Sequence, residues 1–172
     1  VGDWYENERF PATSLKQIVN ETRAAGMSAG IWMAPFICER RSRLFTLHRD
    51  WLLRDSGGRP VVAGFNPLWS GYFYALDITH PEVQSYLQER IAYLLDQGFS
   101  MFKFDFLYAG LLEGQWYGAS TRYEAFLKGM ELLRRASAGA LMLGCGAPVM
   151  PATGFYDILR IGPDTADNWE DR

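Results

Sequence analysis

Residues 99–108, FSMFKFDFLY, constrain this chain more than any other segment. Half of these residues are aromatic and a glycine precedes them, a pattern typical of a buried strand. Lys103 and Asp105 lie two residues apart, so a strand directs both side chains to one face and Phe102, Phe104 and Phe106 to the other. A buried ion pair is costly unless it is partnered. Such a pair of charges can serve catalysis at the carboxyl end of a parallel barrel strand, where active sites lie. The alternative is that Lys103 and Asp105 form a purely structural ion pair.

Composition excludes several classes of function. The chain has 172 residues, of which 48% are hydrophobic and 22% charged, enough for one domain with a sizeable core. The net charge is −3 and the basic residues cluster only at 40–43, which argues against a nucleic-acid partner. Cys38, Cys145 and the two histidines lack metal-site spacing, so we expect no metal or cofactor. We also expect no membrane span, and the unpaired cysteines favour a cytoplasmic location.

Helices and short apolar strands alternate along the chain. Apolar residues at three- and four-residue spacing predict helices over 14–25, 79–97 and 122–138, the last two with capping boxes at Thr79–Glu82 and Thr121–Glu124. Apolar runs predict strands over 28–36, 99–108, 140–145 and 156–161. This alternation predicts an α/β fold with parallel strands, either part of a (β/α)8 barrel or a doubly wound sheet. No glycine-rich phosphate motif follows a strand, which weakens the nucleotide-binding alternative.

A forty-residue excursion at 37–76 interrupts the alternation. The turn sequence SGGRP at 56–60 predicts a hairpin between 51–54 and 61–63. The segment is rich in tryptophan and tyrosine, too aromatic to be disordered. Long ordered loops are usually functional, so we interpret it as a lid or wall over the carboxyl ends of the strands. Trp4, in the loop before the first helix, is interpreted as a packing residue.

Every predicted strand ends in polar or ring-bearing residues: Trp32; Lys103 and Asp105; Cys145 and Gly146; Arg160 and Asp164. Two of these are carboxylates on different strands, each with a cation nearby in sequence. Such a pair suits glycoside hydrolysis, in which one ionised carboxylate attacks the anomeric carbon and the other carries a proton. Asp164 follows a Gly-Pro pair, so a turn aspartate is an equally good interpretation of that residue.

Four blocks resemble motifs of the melibiase-type α-galactosidases of glycoside hydrolase family 36 and its family 27 relatives. They are GIWMAPF at 30–36, LDITHPEV at 76–83, KFDF at 103–106 and RIGPD at 160–164, and they match in order over nearly the whole chain. The resemblance implies a retaining α-galactosidase acting on oligosaccharides or glycosides, with a (β/α)8 catalytic barrel. Residues 1–172 would form only part of it, roughly strands three to six. As a fragment of a longer chain they would be inactive alone, whereas the whole protein could form oligomers.

The resemblance also implies roles for individual residues. Asp105 matches the family's nucleophile and Asp164 its acid/base. Lys103 and Arg160 match residues that hold sugar hydroxyls. Trp32 and the turn formed by Cys145 and Gly146 match residues that line the sugar pocket. The segments after Asp164 and Gly146 depart from the usual family pattern.

Three other functions remain open. A galactosyl transferase of the raffinose-synthase kind would use the same residues, with a sugar replacing water as the acceptor. A non-catalytic sugar-binding or structural barrel would keep the fold without the chemistry. An enzyme that uses Lys103 as a Schiff-base amine is disfavoured, because a carboxylate lies two residues further on.

Overall fold

A four-stranded parallel sheet organises the computed structural model, which describes residues 1–6 and 14–164. With strands numbered in chain order, the sheet runs β1 (Gly30–Met33), β5 (Met101–Phe104), β6 (Leu141–Gly144) and β7 (Ile158–Leu159), and every neighbouring pair is parallel. A helix precedes each strand: α1 (Leu15–Ala24), α3 (Pro81–Gln97), α4 (Arg122–Ala136) and the short α5 (Val149–Ala152). The predicted alternation and parallel pairing are therefore confirmed.

The helix ends follow from local capping chemistry. The Ser14 hydroxyl accepts a hydrogen bond from Gln17 N and begins α1, and Thr121 does the same for Glu124 N in α4, as predicted. The predicted capping box of α3 is wrong: the cap is His80, whose Nδ1 accepts from Glu82 N at 3.3 Å. The Thr79 hydroxyl instead accepts from Gly118 N at 2.8 Å and donates to Asp77 Oδ1 at 2.6 Å, so it binds the loop rather than the helix end.

The core lies between the parallel sheet and the helices that precede its strands. Phe102 and Phe104 of β5 are fully buried, with ring centroids 5.4 Å apart. Leu87, Ile91, Phe126, Met130 and Leu133 line the buried sides of α3 and α4. No helix of the described residues is both long and apolar enough to span a membrane.

The excursion at 37–76 folds as a second sheet, which the sequence did not predict. It contains β2 (Ile37–Glu39), β3 (Val62–Asn66) and β4 (Gly71–Ala75), antiparallel in the order β2-β4-β3, together with the short helix α2 (Arg43–Leu47). The hairpin predicted around SGGRP is present, since Arg54 and Pro60 form an antiparallel bridge. In β3, Gly64 lies under the Phe73 ring, where an added Cβ would approach within 2.4 Å, so only glycine fits this pairing.

Asp157 holds β7 against its neighbours. Its Oδ2 accepts hydrogen bonds from Met142 N of β6 at 2.8 Å and from Arg134 Nη1 of α4 at 2.9 Å. These contacts, the Met142 amide foremost, lower the pKa of the Asp157 carboxyl.

We expect Asp157→Asn to lower the melting temperature at neutral pH, because an amide oxygen is a weaker acceptor than a carboxylate. The pKa is lower in the folded state, so the stabilisation exists above the unfolded pKa of about 3.9 and is lost as the pH falls through the folded value. The difference between wild type and variant should therefore shrink from pH 7 to pH 3 in thermal unfolding. Asp50→Asn, at an exposed position, is the control, and a pH-independent difference would contradict this account.

Candidate active site

The end of β5 determines the local geometry of the candidate site. The strand ends at Phe104, and Phe106 adopts a left-handed backbone conformation with φ 55° and ψ 33° before a 3₁₀ turn over Leu107–Leu111. The predicted strand over 99–108 is therefore too long, and its alternation does not continue to Phe106. The Phe106 ring packs on Trp69 and Phe73, with centroid distances of 5.4 and 5.3 Å, rather than beside Phe104.

Asp105 is held at this break by hydrogen bonds to both of its carboxylate oxygens. Oδ2 accepts from Trp32 Nε1 at 3.0 Å, and Oδ1 accepts from Phe106 N at 2.8 Å. The backbone N–H of Asp105 donates to Met33 O on β1 at 2.9 Å. The carboxylate is half-buried, so it has a fixed orientation and remains reachable.

The predicted ion pair between Lys103 and Asp105 is not formed. Among the salt bridges of the described residues, none joins these two side chains within 4.0 Å. The carboxylate oxygens accept hydrogen bonds from the Trp32 indole N–H and the Phe106 backbone N–H instead. Lys103 and Asp105 nevertheless lie at the same strand end, since Lys103 is near the end of β5 and Asp105 directly follows that strand.

Cys145 and Gly146 lie beside Asp105 at the end of the neighbouring strand β6. Cys145 N donates to Phe104 O and Gly146 O accepts from Tyr108 N, both at 2.8 Å. Burial, and then the negative charge of Asp105, raise the pKa of the Cys145 thiol. Gly146 has φ +56°, and an added Cβ would lie 3.4 Å from Asp105 Oδ1 and 3.3 Å from Phe106 N. This glycine allows the β6 turn to approach the carboxylate closely.

Arg160 and Asp164 follow β7, one strand further along the sheet. Arg160 N donates to Gly144 O at 2.9 Å, and its Nη1 forms an ion pair with Asp164 Oδ1. The contact with the Asp164 side chain is the largest influence that raises the pKa of the Arg160 guanidinium, and the charge of Asp105 raises it further. The Asp164 side chain is 82% exposed. Because β5, β6 and β7 are parallel, Asp105 and Asp164 lie at the same end of the sheet.

Three further aromatic side chains join Trp32 to form what we call the aromatic wall: Trp4, Trp32, Trp69 and Phe106. Trp32 lies edge-on to Trp4 at 5.7 Å and to Trp69 at 6.4 Å between ring centroids. Sequence reasoning selected Trp32 but treated Trp4 as a packing residue and Trp69 only as part of an aromatic excursion. Its one usable signal was the richness of segment 37–76 in tryptophan and tyrosine, which points to Trp69 and not to Trp4.

Hydrogen bonds hold the aromatic wall in place. The Tyr86 hydroxyl on α3 donates to Gly2 O at 2.7 Å and accepts from Trp4 N at 3.3 Å, which positions the loop that carries Trp4. The Tyr108 hydroxyl donates to Ala63 O at 2.9 Å, which ties β3 to the segment after Asp105. Among the described residues, no group of three or more His, Cys, Asp or Glu side chains could hold a metal ion.

The crowding at Gly146 yields a prediction about stability. Alanine in the left-handed region costs about 1–2 kcal/mol, and at Gly146 the added methyl group would also press on Asp105 and the Phe106 backbone. We expect Gly146→Ala to lower the free energy of unfolding by about 1 kcal/mol more than Gly26→Ala does. Gly26 has φ +75° and nothing within 4 Å of an added Cβ, so it isolates the backbone cost. Equal losses in denaturant unfolding would contradict the close approach.

Comparison with known proteins identifies the relatives of this chain. A family model described as Melibiase matches residues 1–109. An α-galactosidase of Escherichia coli is 32% identical over 97 residues, which cover 56% of this chain and 13% of the relative. A bifunctional α-galactosidase/sucrose kinase of Mediterraneibacter gnavus is 33% identical over 98 residues, 57% of this chain and 10% of the relative.

Solved structures extend the similarity to the whole chain. The α-galactosidase TtGalA of Thermus thermophilus, solved in complex with stachyose, has a TM-score of 0.86 and 41% identity and covers 98% of this chain. This chain spans 36% of that structure and only about a tenth of the two relatives above. The family 36 α-galactosidase AgaA of Geobacillus stearothermophilus, at 22% identity and a TM-score of 0.68, shares the fold over 91% of this chain and 22% of its own. The predicted fold class, part of a barrel with parallel strands, is confirmed, and the chain belongs to the melibiase family.

Proposed function

We propose that this protein is a retaining α-galactosidase that hydrolyses terminal α-galactosides, with Asp105 as nucleophile and Asp164 as acid/base. The observation that carries the proposal is the placement of two carboxylates at the same end of one parallel sheet, in a chain of the melibiase family. The Thermus relative, solved with stachyose and with p-nitrophenyl α-galactoside, supports an α-galactoside as substrate.

We also propose that residues 1–172 are a partial barrel domain that is inactive alone. Assaying this segment beside the complete protein tests that proposal.

In the first step, an Asp105 oxygen bonds to the anomeric carbon as the bond from that carbon to the leaving oxygen breaks. The hydrogen bonds from Trp32 Nε1 and Phe106 N orient the carboxylate for this attack. At the same moment the Asp164 proton passes to the leaving oxygen, so the leaving group departs as a neutral alcohol.

In the second step, water attacks the same carbon from the opposite face and Asp164 takes the proton from that water. The ester bond to Asp105 breaks, and the sugar is released with its original configuration. A retaining enzyme needs its two carboxyl groups about 5–5.5 Å apart in the bound complex.

The Arg160–Asp164 contact suggests how substrate binding prepares the acid. The Arg160 guanidinium engages an oxygen of Asp164, whereas the first step needs that side chain free to reach the leaving oxygen. We propose that sugar hydroxyls take over the guanidinium of Arg160 when substrate binds, which frees the Asp164 side chain for this contact. Lys103 would bind further hydroxyls, and Trp32 and the Cys145–Gly146 turn would line the pocket beside the anomeric carbon.

We expect Asp105→Asn in the complete protein to lower turnover of p-nitrophenyl α-galactoside by at least about 10³-fold, because an amide is not a competent nucleophile. The fold should persist, since an amide oxygen still accepts from Trp32 Nε1. Asp50→Asn is the matched control and should leave turnover unchanged. Unchanged turnover in Asp105→Asn would contradict the proposal and favour a barrel that only binds sugar. Product analysis with sucrose as acceptor separates hydrolysis from galactosyl transfer.

The acid/base role of Asp164 predicts a dependence on the leaving group. Asp164→Ala should lower kcat/KM for raffinose by about 10²-fold or more, because its leaving alkoxide needs a proton. The loss for p-nitrophenyl α-galactoside should be much smaller, since nitrophenolate departs without protonation. Equal losses on both substrates would contradict an acid role and leave Asp164 as a turn residue paired with Arg160.

A further inference from the structure

The turn between β3 and β4 brings one tryptophan close to the candidate nucleophile, and the mechanism above gives it no role. The Trp69 ring centroid lies 6.4 Å from that of Trp32, whose indole N–H donates to Asp105 Oδ2 at 3.0 Å. Trp69 is half-buried, while its neighbour Leu68 is 91% exposed. Trp69 therefore lies between the solvent-exposed tip of the hairpin and the side chain that binds the carboxylate.

Hydrogen bonds within the turn, to β2 and to Tyr108 hold this hairpin in position. Trp69 N donates to Asn66 O at 3.2 Å, which closes the turn on itself. The backbone N–H and hydroxyl of Ser70 donate to Glu39 Oε2 of β2 at 3.2 and 3.3 Å. The Tyr108 hydroxyl holds Ala63 of β3 at 2.9 Å. A half-buried ring on a backbone fixed in this way loses little conformational freedom when it binds a ligand.

The chemistry of an oligosaccharide fits this placement. Pyranose rings expose flat faces of C–H groups, and a tryptophan ring offers a large apolar face with a polar edge. Under the proposed function, the terminal sugar that is attacked would lie against Asp105 and Trp32, which are joined by a hydrogen bond. The next sugar, attached through the leaving oxygen, would extend beyond this space, and the Trp69 ring is the neighbour of Trp32 on the hairpin, 6.4 Å away between ring centroids.

We propose that Trp69 forms the stacking platform of a binding site for the leaving-group sugar, the hexose next to the terminal galactose. The inference rests on the proposed function and deepens it. The site would select oligosaccharides over galactosides with small leaving groups. Contacts to a remote sugar also accelerate the reaction at the anomeric carbon when they position the scissile bond.

The experiment compares two substrates on the complete protein: raffinose, whose leaving group contains a hexose, and α-galactosyl fluoride, whose leaving group is one atom. Trp69→Leu keeps apolar packing on Phe73 and Phe106 but removes the flat ring. We expect it to lower kcat/KM for raffinose about tenfold and to change that for the fluoride less than about twofold. Trp69→Phe should recover most of the loss. Tyr72 is 56% exposed and lies on the opposite face of the hairpin, so Tyr72→Thr is the control and should change neither value of kcat/KM.

The outcomes separate this inference from the function on which it rests. A raffinose-selective loss that phenylalanine restores supports the leaving-group site. Equal losses on both substrates overturn it, because Trp69 then acts only by packing against Trp32 and Phe106. Unchanged kinetics on both substrates also overturn it. A wild-type protein that turns over neither substrate overturns the proposed function and the site together.

Discussion

The structure around the candidate site depends on the interruption of β5 after Phe104. A left-handed conformation at a residue other than glycine costs about 1–3 kcal/mol, and Phe106 adopts one. The hydrogen bond from Phe106 N to Asp105 Oδ1 and the packing of the Phe106 ring on Trp69 and Phe73 offset this cost. The interruption leaves Asp105 at the carboxyl end of the sheet, where both of its oxygens accept hydrogen bonds.

The second sheet stabilises that arrangement from the outside. Its hairpin supplies Trp69 and Phe73 as neighbours of Phe106, the residue directly after Asp105. The Tyr108 hydroxyl links this hairpin to the segment after Asp105, while Tyr86 links the chain's first residues to α3. Three segments distant in sequence thus meet around Trp32, and the aromatic wall exists only because all three are held.

Much of the fold could be predicted because its signals are local. The apolar spacing of α3 and α4, their stop signals and the runs that became β1, β5 and β6 are properties of short windows, and the structure confirms these elements. The errors arose where a distant group competed with a local one. Thr79 resembles a helix cap, but Asp77 binds its hydroxyl and His80 caps the helix instead. Lys103 resembles the partner of Asp105, but the carboxylate accepts from the Trp32 indole of β1 and from Phe106 N instead.

The amino-acid sequence by itself determined the alternation of helices and strands, the residues at the strand ends and the motif order that identifies the melibiase family. These depend on side-chain periodicity and local capping, which act over a few residues. Only the tertiary structure decided which side chains meet Asp105, how β3 and β4 pair, and that Trp4 and Trp69 lie beside Trp32. Those contacts join residues far apart in the chain, and their energies come from packing and hydrogen bonds that no short window contains.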